Sequence, residues 1–151
     1  MNDMTMTETQ SGPVNGIDVD ALKQVIRDVA ADPAKGVVRF DVKSAWQGQT
    51  KSRATVESFH IGGEEVKRHF EIDVDEPLQL LGQNSAPNPQ EMLMTALNAC
   101  IMVGYVAGAA MKGDGSEADF REIHETVIKT SPNYFNIARP IRIESRLVVE
   151  A

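Results

Sequence analysis

Apolar residues recur every three or four positions from Val19 through Leu22, Val25, Ile26 and Val29. That is the period of one helix face, with an acidic N-cap candidate within Ile17-Asp18-Val19-Asp20 at its start and Pro33 at its end. From Val38 the period falls to two. Phe40, Val42 and Trp46 alternate with Arg39, Asp41 and Lys43, and the pattern returns at Val66, Phe70, Ile72 and Val74, so both stretches are expected as half-buried strands. Arg53 to Ile61, rich in Thr, Val and Phe, lies between them. Gly62-Gly63 supplies the positive φ that a tight hairpin turn needs, so three antiparallel strands in a meander are predicted.

Asp75-Glu76-Pro77 breaks the alternation, and Gly82 to Pro89 is loop-like, with Pro89 suited to the first turn of a helix. A long central helix is predicted from Pro89 to about Lys112. Gly113-Asp114-Gly115 punctuates the chain, and Ser116 and Asp119 have the spacing of a capping box ahead of Phe120, Ile123, Val127 and Ile128. The second helix is expected to stop before Pro132. Ile141, Ile143, Leu147 and Val149 then alternate with Arg142, Glu144 and Arg146 as a last strand. The class is α+β, with one domain over residues 16–151 behind a disordered tail of residues 1–15.

Charge narrows the partners. Fifteen basic residues against 22 acidic ones leave a net charge of -7, which repels nucleic acid and anionic lipid. The single cysteine, Cys100, cannot form an internal disulfide, so a reducing, cytoplasmic setting is expected. Met1 to Gly12 lacks the basic and apolar regions of a signal peptide.

Met92 to Met111 carries no charge, and Gly104 and Gly108 have the spacing that brings two helices close. The length meets the criterion for a membrane span. Composition argues against one: Ala, Gly and Met dominate, Thr95 and Asn98 interrupt, and neither flank carries an aromatic belt or a basic cluster. A helix apolar all round must then be covered all round in water, and one small sheet with one amphipathic helix covers about half of it. A second subunit, in an intimate homodimer, is the expected source of the rest.

Cys100 has two readings: a buried small hydrophobe, or a reactive thiolate, which needs a cation within reach. His60, His69 and His124 lack the spacing of a metal site, no Gly-x-Ser-x-Gly elbow occurs, and Gly62-Gly63 opens no phosphate-binding helix. No metal and no cofactor are expected.

The run from Asn88 to Cys100 (Asn-Pro-Gln-Glu-Met-Leu-Met-Thr-Ala-Leu-Asn-Ala-Cys) resembles the helix signature of the OsmC/Ohr family. The preceding meander, the Asp75-Glu76-Pro77 and Ala86-Pro87-Asn88-Pro89 segments and Ser131-Pro132 fall in the family's order, so the resemblance covers most of the chain from Gly36 to Val149. It implies an intertwined homodimer around two long central helices, and thiol-dependent reduction of organic hydroperoxides. In the family the helix cysteine attacks the peroxide as a thiolate, an Arg stabilises it, a Glu orients the Arg, and a second cysteine resolves the sulfenic acid as a disulfide.

On that template Cys100 takes the attacking position, and the orienting Glu is replaced by Gln90, since Glu91 points about 100° away around the helix. The resolving cysteine would fall at Ser131, so turnover would be of the one-cysteine type, with an external thiol as reductant. Arg53 and Arg68 are the candidate thiolate partners, and Tyr134 and Phe135 are candidates to line the pocket over Cys100, or to anchor the turn after the last helix. The alternative is a binding protein for a small apolar molecule that keeps the fold without turnover. The family also has strands between the central helix and the last helix, where this chain runs directly from Lys112 to Ser116. Either those strands are lost, or a segment is missing between Gly113 and Asp114.

Overall fold

The computed structural model describes residues 12–113, 115–139 and 142–145. Four helices and an antiparallel sheet make it an α+β protein, as the periodicities imply. Val14 and Ile17 close a tight turn through two backbone hydrogen bonds of 2.9 Å. Helix α1 (Val19–Ala31) follows, with the Asp18 carboxylate accepting from the Ala21 N–H at 2.9 Å.

The meander forms with one change. Its first strand is broken into β1 (Val38–Phe40) and β2 (Lys43–Trp46), both paired with β3 (Ser52–Ile61), which pairs on its other edge with β4 (Glu64–Val74). Phe40 stands opposite Phe59, but Lys43 stands opposite Thr55, so Asp41 and Val42 face three residues of β3. On the other edge the register slips between Val56 and Ser58. Both neighbours of β3 therefore lose register around Glu57, where bulges increase twist. The alternation over β1 and β2 carries no mark of the slip, but that of β3 does: its apolar positions change from Ala54 and Val56 to Phe59 and Ile61 across it.

Over its regular half the sheet separates its faces. Phe70, Ile72 and Val74 stand opposite Val56, Ala54 and Ser52, and Trp46 stands opposite Ser52. The other face carries Arg53 opposite Asp73 and Thr55 opposite Glu71. Most of the apolar face is open: Trp46 is 76% exposed, and Phe70 and Ile72 are exposed too, while Val56 in the central strand is buried.

Helix α2 (Pro89–Lys112) starts on a complete capping box, in which Asn88 accepts from the Glu91 N–H and Glu91 accepts from the Asn88 N–H, both at 2.8 Å. After a short connection, in which the Gly115 N–H donates to the Gly113 carbonyl at 2.8 Å, helix α3 (Glu117–Thr130) packs back on α2. The two glycines explain how. A Cβ on Gly104 would lie 2.9 Å from Val127 Cγ2, and one on Gly108 would lie 2.8 Å from Ile123 Cγ2; both of those partners are buried. The close-packing face of α2 is thus used within the chain. Gly108→Val is expected to overpack this contact and lower stability by about 1–3 kcal/mol in urea unfolding; an unchanged midpoint would show that the helices part freely.

Two expectations change here. The second helix stops before Pro132 as expected, but a further helix, α4 (Pro132–Ala138), follows at once, because Ser131 caps it and Pro132 takes the first helical position, where its missing N–H is harmless. The sheet, moreover, does not cover α2; α3 and α4 do, on one side. Among the side chains of α2 only Ala110 is fully buried, and Val103 is 69% exposed. By length and composition α2 could cross a bilayer. Of the expected last strand, residues 142–145 form no strand, and the remainder lies outside the described residues, as does the tail up to residue 11.

Candidate functional site

Cys100 lies three turns into α2 and is half-buried. Its Sγ is 3.2 Å from Ser131 Oγ. Ser131 is held from several directions: its N–H donates to the Val127 carbonyl at 2.8 Å, ending α3, and its Oγ accepts from the Tyr134 N–H at 3.3 Å, starting α4. With that N–H donating to the oxygen, the hydroxyl proton is free to be directed at the sulfur. Ser131 is 6% exposed. Asn133 ties the corner down further, its Nδ2 donating to the Ala96 carbonyl at 2.9 Å, one turn before Cys100 on α2. Two residues 31 apart in sequence are thereby brought into contact by the α3–α4 corner.

The other sequence candidates lie elsewhere in the chain. Arg53, on β3, is committed to carboxylates: Nε and Nη2 donate to the two oxygens of Asp73 at 2.7 and 3.0 Å, and Nη1 lies 3.1 Å from Glu71 Oε2. The hydrogen bond to Asp73 raises the Arg53 pKa, and the same bond, with Lys51 nearby, lowers that of Asp73. Arg68, on β4, makes no ion pair among the described residues. Its guanidinium lies 4.9 Å from the centre of the Phe59 ring and 5.4 Å from that of Phe70, a cation–π arrangement. Gln90 is exposed in the first turn of α2, about 15 Å along the axis from Cys100 at 1.5 Å per residue. Glu91 is occupied by the capping box.

Tyr134 and Phe135 sit on α4 and, with Ile128, Lys129, Ala138 and Arg139, line a depression of about 290 Å³ that does not include Cys100. The Arg139 guanidinium stacks over Phe135 at 5.0 Å. A second groove, of about 350 Å³, runs between α1, α2 and α3 past Leu22, Ile26, Gly108 and Met111. Among the described residues no cluster of His, Cys, Asp or Glu has the arrangement to hold a metal ion.

No family model matches the chain, and no curated protein matches it. The OsmC/Ohr resemblance therefore rests on the Asn88–Cys100 motif and on the order of elements around it.

Asp75, which the sequence marks only as the end of the alternation, has a further role. Asp75 is 1% exposed, and its carboxylate accepts five hydrogen bonds from Thr50, Glu76, Gln83 and Ser85. Those donors, with the Ser85 N–H first among them, hold its pKa far below the usual carboxylate range. Its position after a strand and before Glu-Pro signals a turn, but Thr50 lies 25 residues earlier and no local pattern names it. Beside it, Glu76 Oε2 is buried with no partner among the described residues, and nothing in the structure accounts for that.

Proposed function

We propose that the chain is an OsmC-like homodimer in which Cys100 reduces organic hydroperoxides by a one-cysteine cycle. The observation that carries this reading is the 3.2 Å separation of Cys100 Sγ and Ser131 Oγ, because the order of motifs along the chain puts Ser131 at the resolving position independently of any distance. A spacing of 31 residues across two helices and a corner has no local reason to end in contact.

In the proposed cycle the Cys100 thiolate attacks the distal oxygen of a hydroperoxide. The O–O bond breaks, the S–O bond forms, and the alkoxide takes a proton to leave as an alcohol. The sulfur is now a sulfenic acid, two electrons more oxidised. Ser131 cannot close a disulfide, so an external thiol attacks the sulfenic sulfur and releases water, and a second thiol reduces the mixed disulfide. Ser131 contributes a hydroxyl proton that can be donated to the thiolate, a charge-assisted hydrogen bond. The cation comes from the second copy. Arg68 is the better candidate for it, since Arg53 is already neutralised by Asp73 and Glu71. Gln90 is likewise supplied across the interface, being too far along its own helix to reach Cys100. The apolar faces of the sheet and of α2, both uncovered within one chain, are the surfaces that the dimer buries, and the cytoplasm is the proposed compartment.

The test is stopped-flow consumption of cumene hydroperoxide with a dithiol reductant. Cys100→Ser is expected to fall to the uncatalysed rate, and equal rates for the two proteins would overturn the reading. A second reading, binding of a small apolar molecule without turnover, is favoured by one observation: the partner of Cys100 among the described residues is a neutral hydroxyl, not a cation. Alkylation by iodoacetamide as a function of pH separates the two. A thiolate present at neutral pH supports catalysis, and a thiol that reacts only in alkali supports binding.

A further inference from the structure

Ser131 and Asn133 stand at the start of α4, and both reach α2. Asn133 Nδ2 donates to the Ala96 carbonyl at 2.9 Å, and Ser131 Oγ lies 3.2 Å from Cys100 Sγ. Ala96 and Cys100 are four residues apart, hence one turn apart on one face of α2, and in the helix the Ala96 carbonyl is also the acceptor for the Cys100 N–H. The start of α4 thus grips both ends of the turn that carries the thiol. Among the described residues these are the polar side-chain contacts that join α4 to α2.

Apolar packing is a weak hold on α4. The helix has seven residues, too few to be stable alone, and none of its side chains is fully buried. Ser131 is anchored differently, because its N–H ends α3 on the Val127 carbonyl at 2.8 Å, so its backbone stays with α3. What α4 sets is the direction of the hydroxyl. The Tyr134 N–H donates to Ser131 Oγ at 3.3 Å, and the rotamer that meets the sulfur keeps this bond only while the first turn of α4 is docked. Asn133 is the side chain that docks it.

We propose that Asn133 is a positioning residue for Cys100: by tying the first turn of α4 to Ala96 it keeps the Ser131 hydroxyl aimed at the sulfur, where that hydroxyl stabilises the thiolate. The inference rests on the thiolate chemistry proposed above. A hydrogen bond donated to the charged form of a group favours that form. From α4 no charged side chain competes for the role, since residues 132–138 contain no acid or base apart from the phenol of Tyr134. The charged and titratable groups of α3 are engaged elsewhere. Lys129 pairs with Glu125 at 3.4 Å, Arg121 with Glu117 at 2.6 Å, and His124 with the Tyr105 hydroxyl at 2.5 Å, while Glu122 and Asp119 hold Lys112 of α2 at 2.9 and 3.6 Å.

The experiment is alkylation of Cys100 by iodoacetamide across a pH series on the full chain, with far-UV circular dichroism on the same samples. It compares the parent with Ser131→Ala, Asn133→Ala, Asn133→Leu and the Ser131→Ala/Asn133→Ala pair. The midpoint of each profile reports thiolate stabilisation, and the plateau in alkali reports access to the sulfur. Ser131→Ala and Asn133→Ala are each expected to leave about fivefold less thiolate at neutral pH, with the midpoint moved upward. The pair is expected to match Ser131→Ala alone within about twofold, because Asn133 acts through that hydroxyl. Asn133→Leu, similar in size but without the donor, is expected to behave as Asn133→Ala does. A parental midpoint in either single alanine variant, or a further fall of about fivefold in the pair, would overturn the proposal. Loss of the helix signal in both Asn133 variants would assign the residue to folding and overturn it as well. A parent that consumes no hydroperoxide, while the midpoints move as expected, would overturn the peroxide reading and leave the positioning role of Asn133 standing.

Discussion

Ser131→Cys is expected to convert the chain into a two-cysteine protein that closes an internal disulfide between residues 100 and 131 on treatment with one equivalent of hydroperoxide. Two thiols and one hydroperoxide then yield the disulfide, an alcohol and water. The side-chain atoms already lie 3.2 Å apart, and a disulfide needs them at about 2.05 Å, a movement of roughly one ångström that two staggered side chains can make. The bond would close a loop of about 30 residues and remove roughly 3–4 kcal/mol of chain entropy from the unfolded state. Two readouts follow: a mass lower by two hydrogens per chain, with no change of mobility to a linked dimer, and a higher urea midpoint that dithiothreitol reverses. Intermolecular disulfides alone, or two free thiols after oxidation, would show that Ser131 does not sit against Cys100.

Gly82→Ala is expected to be among the most damaging single changes in the chain. A Cβ at this position would lie 1.8 Å from the Glu76 carbonyl oxygen and 2.3 Å from its carbon, and neither is a side-chain end that can rotate away. The Gly82 N–H also donates to the Pro77 carbonyl at 3.1 Å, and the Asn84 N–H to the Glu76 carbonyl at 3.1 Å, so opening the loop to admit a methyl group breaks the turn on both sides of it. The Gln83 and Ser85 donors to Asp75 would leave with it. A loss of more than about 4 kcal/mol is expected, beyond the ordinary range for single substitutions, measured by urea unfolding against the parent. A loss below about 1 kcal/mol would mean that the loop re-forms around the methyl, and that Asp75 tolerates a different path.

Most helices and strands were legible because their causes are local. The stripe at Leu22, Val25, Ile26 and Val29, the acidic start of α1, Pro89 in the first turn of α2, the Ser116 cap and the Gly62-Gly63 turn each act within a few residues, and the structure places α1, α2, α3 and the β3–β4 hairpin accordingly. The misread helix was local as well. Ser131-Pro132 is a helix start, with a capping Ser and a Pro in the first turn, but it follows α3 directly, so the same Pro132 also reads as the stop of the helix before it. The break between β1 and β2 left no trace in the alternation of Phe40, Val42 and Trp46; its sign lies in β3, where the apolar positions change parity across Glu57, from Ala54 and Val56 to Phe59 and Ile61.

For the candidate site the division is similar. Motif order put Ser131 in relation to Cys100, and the structure brings the two into contact. Neither composition nor spacing distinguished Arg53 from Arg68, since what separates them is company: one is paired with Asp73 and Glu71 across the sheet, the other lies on Phe59 and Phe70. Periodicity, caps and turn chemistry, all short-range effects along the backbone, determined which segments become helix and strand and where the single thiol sits on α2. Only the tertiary structure decided that the close-packing glycines of α2 face α3, that the sheet stands clear of its own helix, and that Asp75 joins the β2–β3 turn to the loop ahead of α2, because those outcomes depend on which buried donors and apolar faces meet after the chain has folded.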